Sequence, residues 1–95
     1  MNASQQINHI NENNYDVDIS VTDVPKGHFT AVTANSFDGN SSLREIRVEI
    51  LPLEQHQGGT VSTNSGLFVK GDNENAIQVK IYKDGQEVAS NTQSY

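Results

Sequence analysis

The chain of 95 residues contains no cysteine and no tryptophan, and it contains only two prolines. Without cysteine it cannot form a disulfide, bind a metal through thiolates or use a cysteine nucleophile. These absences exclude the disulfide-stabilised class of small domains, although they do not exclude secretion. Catalysis or metal binding would therefore have to depend on histidine, serine and carboxylate groups.

Basic residues are also scarce, with six Lys and Arg against twelve Asp and Glu, which gives a net charge of −6. Proteins that bind nucleic acid place a basic stripe against the phosphates, and the few basic residues here are scattered. An anionic membrane surface attracts clustered basic residues for the same reason. The charge balance therefore argues against nucleic acid and against a membrane surface as partners.

Long apolar runs are missing as well, so the sequence predicts no membrane insertion. The N-terminus lacks the basic-then-apolar pattern of a signal peptide, so a signal for export would lie outside this sequence. The hydrophobic content of 34% predicts a thin core without room for a buried cofactor, and we expect none. A chain of this length forms one small domain.

The first residues, "MNASQQINHINENN", are rich in Asn and Gln. Only Ile7 and Ile10 offer apolar surface, which is little to offset the entropy of ordering a segment. We therefore predict a flexible polar arm over residues 1–14, followed by a single domain over residues 15–95. Because this arm is too polar to add a strand, we also expect a monomer.

Beyond the arm, apolar and polar residues alternate as they do in strands with one buried face. "YDVDISVTDV" shows this period from Tyr15 onward, and the run from residue 28 to residue 51 predicts a hairpin around the turn "DGNSS". Asp84-Gly85 predicts a second hairpin with a two-residue turn. About seven short strands and no helix predict an all-β antiparallel sandwich.

The alternation also predicts which side chains are buried. The core should include ten residues: Tyr15, Val17, Ile19, Val21, Ile46, Val48, Ile50, Ile77, Val79 and Ile81.

Two long segments resemble known repeats. "VPKGHFTAVTANSFDGNSSLREIRVEI" resembles the closing half of bacterial immunoglobulin-like repeat domains, and "GGTVSTNSGLFVKGDNENAIQVKIYKDGQEVASNTQSY" resembles the opening half. Fibronectin type III domains share these traits. The halves occur in reversed order, which fits a segment of a tandem repeat array, a permuted sandwich, or a different sandwich with similar turns.

The resemblance implies an immunoglobulin-like sandwich in an exported or surface-exposed protein. Such domains serve in adhesion, in carbohydrate or protein contact, and as spacers, and the fold does not choose among these roles. We therefore predict a non-catalytic binding or spacer module. The alternative is a small inhibitor or regulator that inserts the loop of residues 52–66 into a target enzyme.

No motif in the sequence predicts an active site. His9, His28 and His56 lack the spacing of a zinc pair, and no serine lies in a nucleophile elbow. "GDNEN" offers Asp72 and Glu74 as carboxylate ligands for calcium, but without the regular spacing of a dedicated loop. We read it as a solvated acidic turn and predict no metal site and no enzyme.

Aromatic residues give the remaining indication of a binding site. Tyr82 lies on the face opposite the predicted core residues of its strand, between Gln78, Lys80 and the following turn. An exposed tyrosine in this setting can stack on a sugar or anchor a protein contact, and cross-strand packing is the alternative. Phe37 either caps the core or protrudes from a loop tip. Candidate binding residues are therefore Tyr82, Lys80, Gln78 and Phe37.

Overall fold

A computed structural model describes residues 1–25, 27–37, 42–52 and 59–95, except for the side chains of 37, 42 and 50–52. Eight strands occur in this part of the chain: β1 (Asn2–Asn11), β2 (Asn14–Thr22), β3 (His28–Phe37), β4 (Ser42–Pro52), β5 (Thr60–Asn64), β6 (Phe68–Val69), β7 (Ala76–Lys83) and β8 (Gln86–Ser94).

The strands form two antiparallel sheets that pack on each other. Sheet A has the order β1-β2-β5, and the short β6 also pairs with β2; sheet B has the order β4-β3-β7-β8. The all-β class and the sandwich arrangement are therefore confirmed, with eight strands in place of about seven.

The additional strand is β1, which corrects the prediction of a flexible arm over residues 1–14. It pairs with β2 from Asn2 opposite Thr22 to Asn11 opposite Asn14. Alternate residues of β1 face inward, where Ile7 packs against the core. The composition of β1 did not predict a strand. Backbone hydrogen bonds to β2 order this segment, and it buries few apolar side chains.

The inner faces of β2 and β7 form the centre of the core. Six of the residues predicted to be buried are at most 2% exposed: Val17, Ile19, Val21, Ile77, Val79 and Ile81. Phe29 and Ala31 of β3 and Phe68 of β6 join them, while Tyr15 and Ile46 are partly buried and pack against this cluster. The alternation in β2 and β7 thus identified the buried face correctly.

The face predicted for Val48 of β4 is wrong. Val48 lies opposite Val32, on the outer face of sheet B, and is 55% exposed. The register between the strands shifts at Thr33 and Ala34, where β4 contains one extra residue. Such a bulge changes which side chains of a strand face the core. Ile50, predicted with the same face, lies outside the described side chains.

Charged residues of β4 take the inner positions at the rim of the sandwich. Arg47 Nη1 donates to the carbonyl oxygen of Asn64 at 2.6 Å, and Thr63 Oγ1 donates to Glu49 Oε2 at 2.7 Å. Both contacts join the edge of sheet B to β5 of sheet A. The long side chains reach across the rim while their charged ends stay near solvent.

The turn between β7 and β8 agrees with the prediction. Asp84 and Gly85 both have positive φ values, 52° and 80°, as a two-residue hairpin turn of type I′ requires. This turn sets the register in which Lys83 lies opposite Gln86. The turn predicted at residues 38–41 lies outside the described residues, although β3 and β4 pair on either side of it.

Candidate functional site

The outer face of sheet A is polar and internally hydrogen-bonded. Asn8 Nδ2 donates to Asp16 Oδ1 at 2.8 Å and to Asp18 Oδ2 at 3.0 Å, and Asn64 Nδ2 donates to Asp18 Oδ1 at 2.7 Å. The hydrogen bond from Asn64, followed by that from Asn8, lowers the pKa of the Asp18 carboxyl. These polar groups of sheet A therefore satisfy one another.

The outer face of sheet B differs, because it contains a groove of about 480 Å³ with apolar and polar walls. Its lining residues come from three neighbouring strands: Val32, Ala34, Leu43, Glu45, Gln78, Lys80 and Tyr82.

Three of the predicted binding residues lie together in this groove. Gln78, Lys80 and Tyr82 occupy every second position of β7, so all three point away from the core. β3 pairs with β7 here, with Ala34 opposite Gln78 and Val32 opposite Lys80. The alternation in β7 therefore predicted that these three side chains share the outward face, where they form a polar wall of the groove.

The apolar part of this face was not predicted from the sequence. Leu43 is 50% exposed and Val48 is 55% exposed, both on β4. Val48 lies opposite Val32 across the β3–β4 pair, so it extends the apolar surface towards the edge of the sheet. The sequence predicts Val48 on the buried face, and it makes no prediction for Leu43.

Charge around the groove is balanced locally. Lys80 Nζ lies 3.3 Å from Glu87 Oε1 on the neighbouring β8, and the two side chains are about one third to two fifths exposed. Exposed pairs of this kind contribute little to stability. This pair holds Lys80 over the groove, whose other polar residues are Glu45, Gln78 and Tyr82.

Phe37, the fourth predicted binding residue, is not placed by the structure in this groove. Its backbone ends β3, opposite Ser42. Its side chain lies outside the described part of the chain, so its role stays a prediction.

An ion pair between the half-exposed Arg44 and the buried Glu74 closes one end of the sandwich. Glu74 is 3% exposed, and its carboxylate accepts hydrogen bonds from Arg44 Nη2 at 2.6 Å and Arg44 Nε at 2.9 Å. The backbone N–H of Gly71 donates to Glu74 Oε1 at 2.7 Å, and Asn35 Nδ2 donates to the same oxygen at 3.4 Å. Sequence reasoning missed this network, because its members are up to 39 residues apart.

This network corrects the interpretation of Glu74 as part of a solvated acidic turn. The hydrogen bond from Arg44 lowers the pKa of the Glu74 carboxyl against the opposing effect of burial, and it raises the pKa of Arg44. Both carboxylate oxygens are engaged by donors of the protein. Asp72, the other residue considered as a calcium ligand, is exposed in the turn.

Aromatic residues pack beside the ion pair. Tyr15 stacks on His9 with ring centroids 4.6 Å apart and meets Tyr95 edge to face at 4.9 Å. The Tyr95 hydroxyl donates to Asn35 Oδ1, and burial raises the pKa of this hydroxyl. These contacts connect the end of β8 to the start of β2, so the rings have a structural role.

The described histidines lie apart from each other and from the groove. His9 is on β1 and its Nε2 lies 2.6 Å from the carbonyl oxygen of Glu12, while His28 begins β3; His56 lies outside the described residues. Within the described ranges, no three His, Asp or Glu side chains gather in a group that could hold a metal ion.

No protein-family model matches the chain, and neither the curated proteins nor the solved structures contain a significant match to it. The described part of the chain includes no helix long and apolar enough to cross a membrane.

Proposed function

We propose that the chain is a non-catalytic immunoglobulin-like binding module that contacts a protein or carbohydrate partner through the outer face of sheet B. The observation that carries the proposal is the groove lined by Gln78, Lys80 and Tyr82 beside the exposed Leu43 and Val48. Apolar surface rimmed by polar groups is typical of interaction sites.

Tyrosine suits both classes of partner. Its ring buries a large area with few rotatable bonds, and its hydroxyl keeps a hydrogen-bonding end, so it is enriched at protein interfaces. Gln78 can donate and accept hydrogen bonds with an amide, a hydroxyl or a backbone group. On the outer face of sheet A, by contrast, Asn8 and Asn64 donate to Asp16 and Asp18.

The strand order supports the immunoglobulin-like part of the proposal. In such sandwiches strands C, F and G form one sheet, to which C′ is added in variable-type domains, and A, B and E belong to the other. Here β4-β3-β7-β8 would correspond to C′-C-F-G, and β1-β2-β5 to A-B-E. This correspondence needs no permutation of the chain, unlike the reversed halves suggested by the turn motifs.

The setting we propose, an exported or surface-exposed protein, rests on the resemblance alone. The alternative inhibitor function would use residues 52–66, of which 53–58 lie outside the described residues. β5 occupies Thr60–Asn64, so the unpaired loop is shorter than the sequence predicted. No observation favours that alternative over the groove.

The experiment is a binding screen with matched valine variants. The labelled chain is applied to an array of oligosaccharides and to an array of purified surface proteins, and each positive result is repeated with Val48→Asp and Val69→Asp. Val48 lies on the outer face of sheet B and Val69 on β6 of sheet A, and both are exposed, at 55% and 63%.

We expect Val48→Asp and Tyr82→Ala to abolish binding, while Val69→Asp retains it. Binding that survives both sheet B variants would move the site to another surface. Absence of binding to every probe would contradict the contact role and favour a spacer.

A further inference from the structure

β1 is an edge strand without the usual protection. It pairs with β2 on one side, and no strand of the described residues pairs with its other side. Proteins guard such edges with charged side chains, proline or bulges, because unpaired backbone groups accept a further strand. The ten residues of β1 include no Asp, Glu, Lys, Arg or Pro, and the register is irregular only beside the hairpin turn, between His9 and Asn11.

β4, one of the two edges of sheet B, shows the contrast. β4 carries four charged residues in eleven positions, Arg44, Glu45, Arg47 and Glu49, and ends in Pro52. These residues discourage the addition of another strand. The ten-residue β1 is thus twice as long as the uncharged edge strand β5 and, unlike β4, has no charged residue or proline.

A groove of about 650 Å³ opens beside β1 and keeps part of this edge accessible. β1 lines it with Gln5, Gln6, Ile7 and His9, and the opposite wall includes Gln93 of β8 and Tyr95, which follows β8. Among the described residues, no Asp, Glu, Lys or Arg side chain lines the groove. An uncharged extended segment can therefore approach the backbone of β1 there without desolvating a charge.

Gln5 provides a second observation at the same place. Its Nε2 donates to Asn91 Oδ1 at 2.8 Å and to the carbonyl oxygen of Ile77 at 3.1 Å, which ties β1 to sheet B. Its Oε1 is buried and has no hydrogen-bond partner among the described residues. A buried acceptor without a donor is costly, so a donor brought into the groove would relieve it.

We propose that two copies of the chain pair antiparallel through β1, so that sheet A continues from one copy into the other. In a dimer with twofold symmetry, β1 of one copy pairs with β1 of the other, so both copies use the same surface. Amide and hydroxyl side chains both donate and accept hydrogen bonds, so a strand rich in Asn, Gln and Ser is complementary to its own sequence.

The charge of the chain favours this edge over other contacts between copies. Two chains of net charge −6 repel each other wherever acidic groups meet. β1 presents no acidic side chain, so pairing of two copies through β1 brings no carboxylates of the two strands together. The monomer expected from the sequence depended on a disordered N-terminal arm, and the ordered β1 removes that basis.

The test is sedimentation of the full chain over a wide range of concentrations. The proposal predicts a reversible dimer whose fraction rises with concentration. Gln6→Lys should abolish the dimer, because identical charges would then lie close together across the paired strands. Gln6 is exposed and its side chain makes one hydrogen bond, to Asn8 Oδ1 at 3.3 Å, so the variant should fold.

Gln86→Lys is the matched control, since it places the same residue at an exposed position at the start of β8. Both variants reduce the net negative charge by one, which by itself favours association. A loss of dimer in Gln6→Lys alone therefore reports the local pairing. Ser4→Lys, at another exposed position of β1, should repeat that loss.

A mixture of Gln6→Lys with Gln6→Glu should form a heterodimer, because opposite charges then meet. Circular dichroism and the melting temperature of each variant verify the fold. A chain that stays monomeric over the whole range would overturn the proposal. A dimer that persists in Gln6→Lys would do the same, because its interface would lie elsewhere.

Discussion

β7 lies between two strands of sheet B, whereas β4 lies at the edge of the same sheet, and both present aliphatic residues at every second position. In β7 these residues, Ile77, Val79 and Ile81, are completely buried against sheet A. In β4 the corresponding Val48 faces outward and is 55% exposed. The same periodic pattern thus buries all three residues in β7 but leaves Val48 at the surface in β4.

The difference shows what fixes the face of an edge strand. β3 must direct Phe29 and Ala31 towards the core, and the register of β4 against β3 then places Glu49 on the inner side. At the rim a charged side chain reaches solvent or a hydrogen-bond partner, so this arrangement costs little. As a result, Val48 lies on the outer face of sheet B and adds apolar surface there. We propose this face as the contact surface.

Truncation in the centre of β7 should have the largest effect on stability. Val79→Ala is expected to lower the free energy of unfolding by about 1–3 kcal/mol, because it removes buried methyl groups and leaves a cavity. Val79 is completely buried. Urea unfolding monitored by circular dichroism measures the change, and a loss close to zero would contradict the register of β7.

The ion pair that joins β4 to the turn before β7 should come next. Glu74→Gln keeps the size of the side chain and removes its charge. We expect a loss of about 1–2 kcal/mol, because hydrogen bonds to a charged group are weakened, while Arg44 stays half exposed and regains some hydration. Glu45→Gln, an exposed carboxylate on β4, is the control and should change stability little.

The ion pair between Arg44 and Glu74 should make the free energy of unfolding depend on pH. Arg44 lowers the pKa of Glu74 in the folded protein below its ordinary value of 4.5. The resulting stabilisation is complete above that value and is lost as the pH falls through the lowered pKa. Urea unfolding at a series of acidic pH values should show a smaller decline for Glu74→Gln than for the unmodified chain. Equal declines would mean that Glu74 is not paired.

The smallest effect is expected at the outward-facing valine of β4. Val48→Ala should change the free energy of unfolding by less than about 0.5 kcal/mol, as exposed substitutions usually do. Val48→Ala removes the same two methyl groups as Val79→Ala, so these two variants compare β4 and β7 directly. A loss at Val48 equal to that at Val79 would show that both face the core.

The sequence was sufficient to predict the parts of the fold that depend on local periodicity. The strands β2 and β7, the turn at Asp84-Gly85 and the outward position of Tyr82 all follow from residue patterns a few positions long. β1 was missed because its order comes from backbone pairing with β2. The face of β4 was missed because it depends on the register against β3.

The candidate site divides in the same way. Gln78, Lys80 and Tyr82 were found because one strand carries all three. Leu43 and Val48 lie beside these residues only because β4 pairs with β3. The ion pair between Arg44 and Glu74 likewise depends on contacts between distant parts of the chain. Such contacts require the assembled sheet.

Selective labelling of introduced thiols tests the central claim most directly, because the chain has no cysteine of its own. Val48→Cys and Val79→Cys are each treated with a maleimide reagent under native conditions, and the reaction is followed by mass spectrometry. The account predicts rapid labelling of Cys at position 48 and protection at position 79 until the protein is unfolded. Protection at position 48 would place the β4 aliphatic residues in the core and remove the apolar surface on which the proposed function rests.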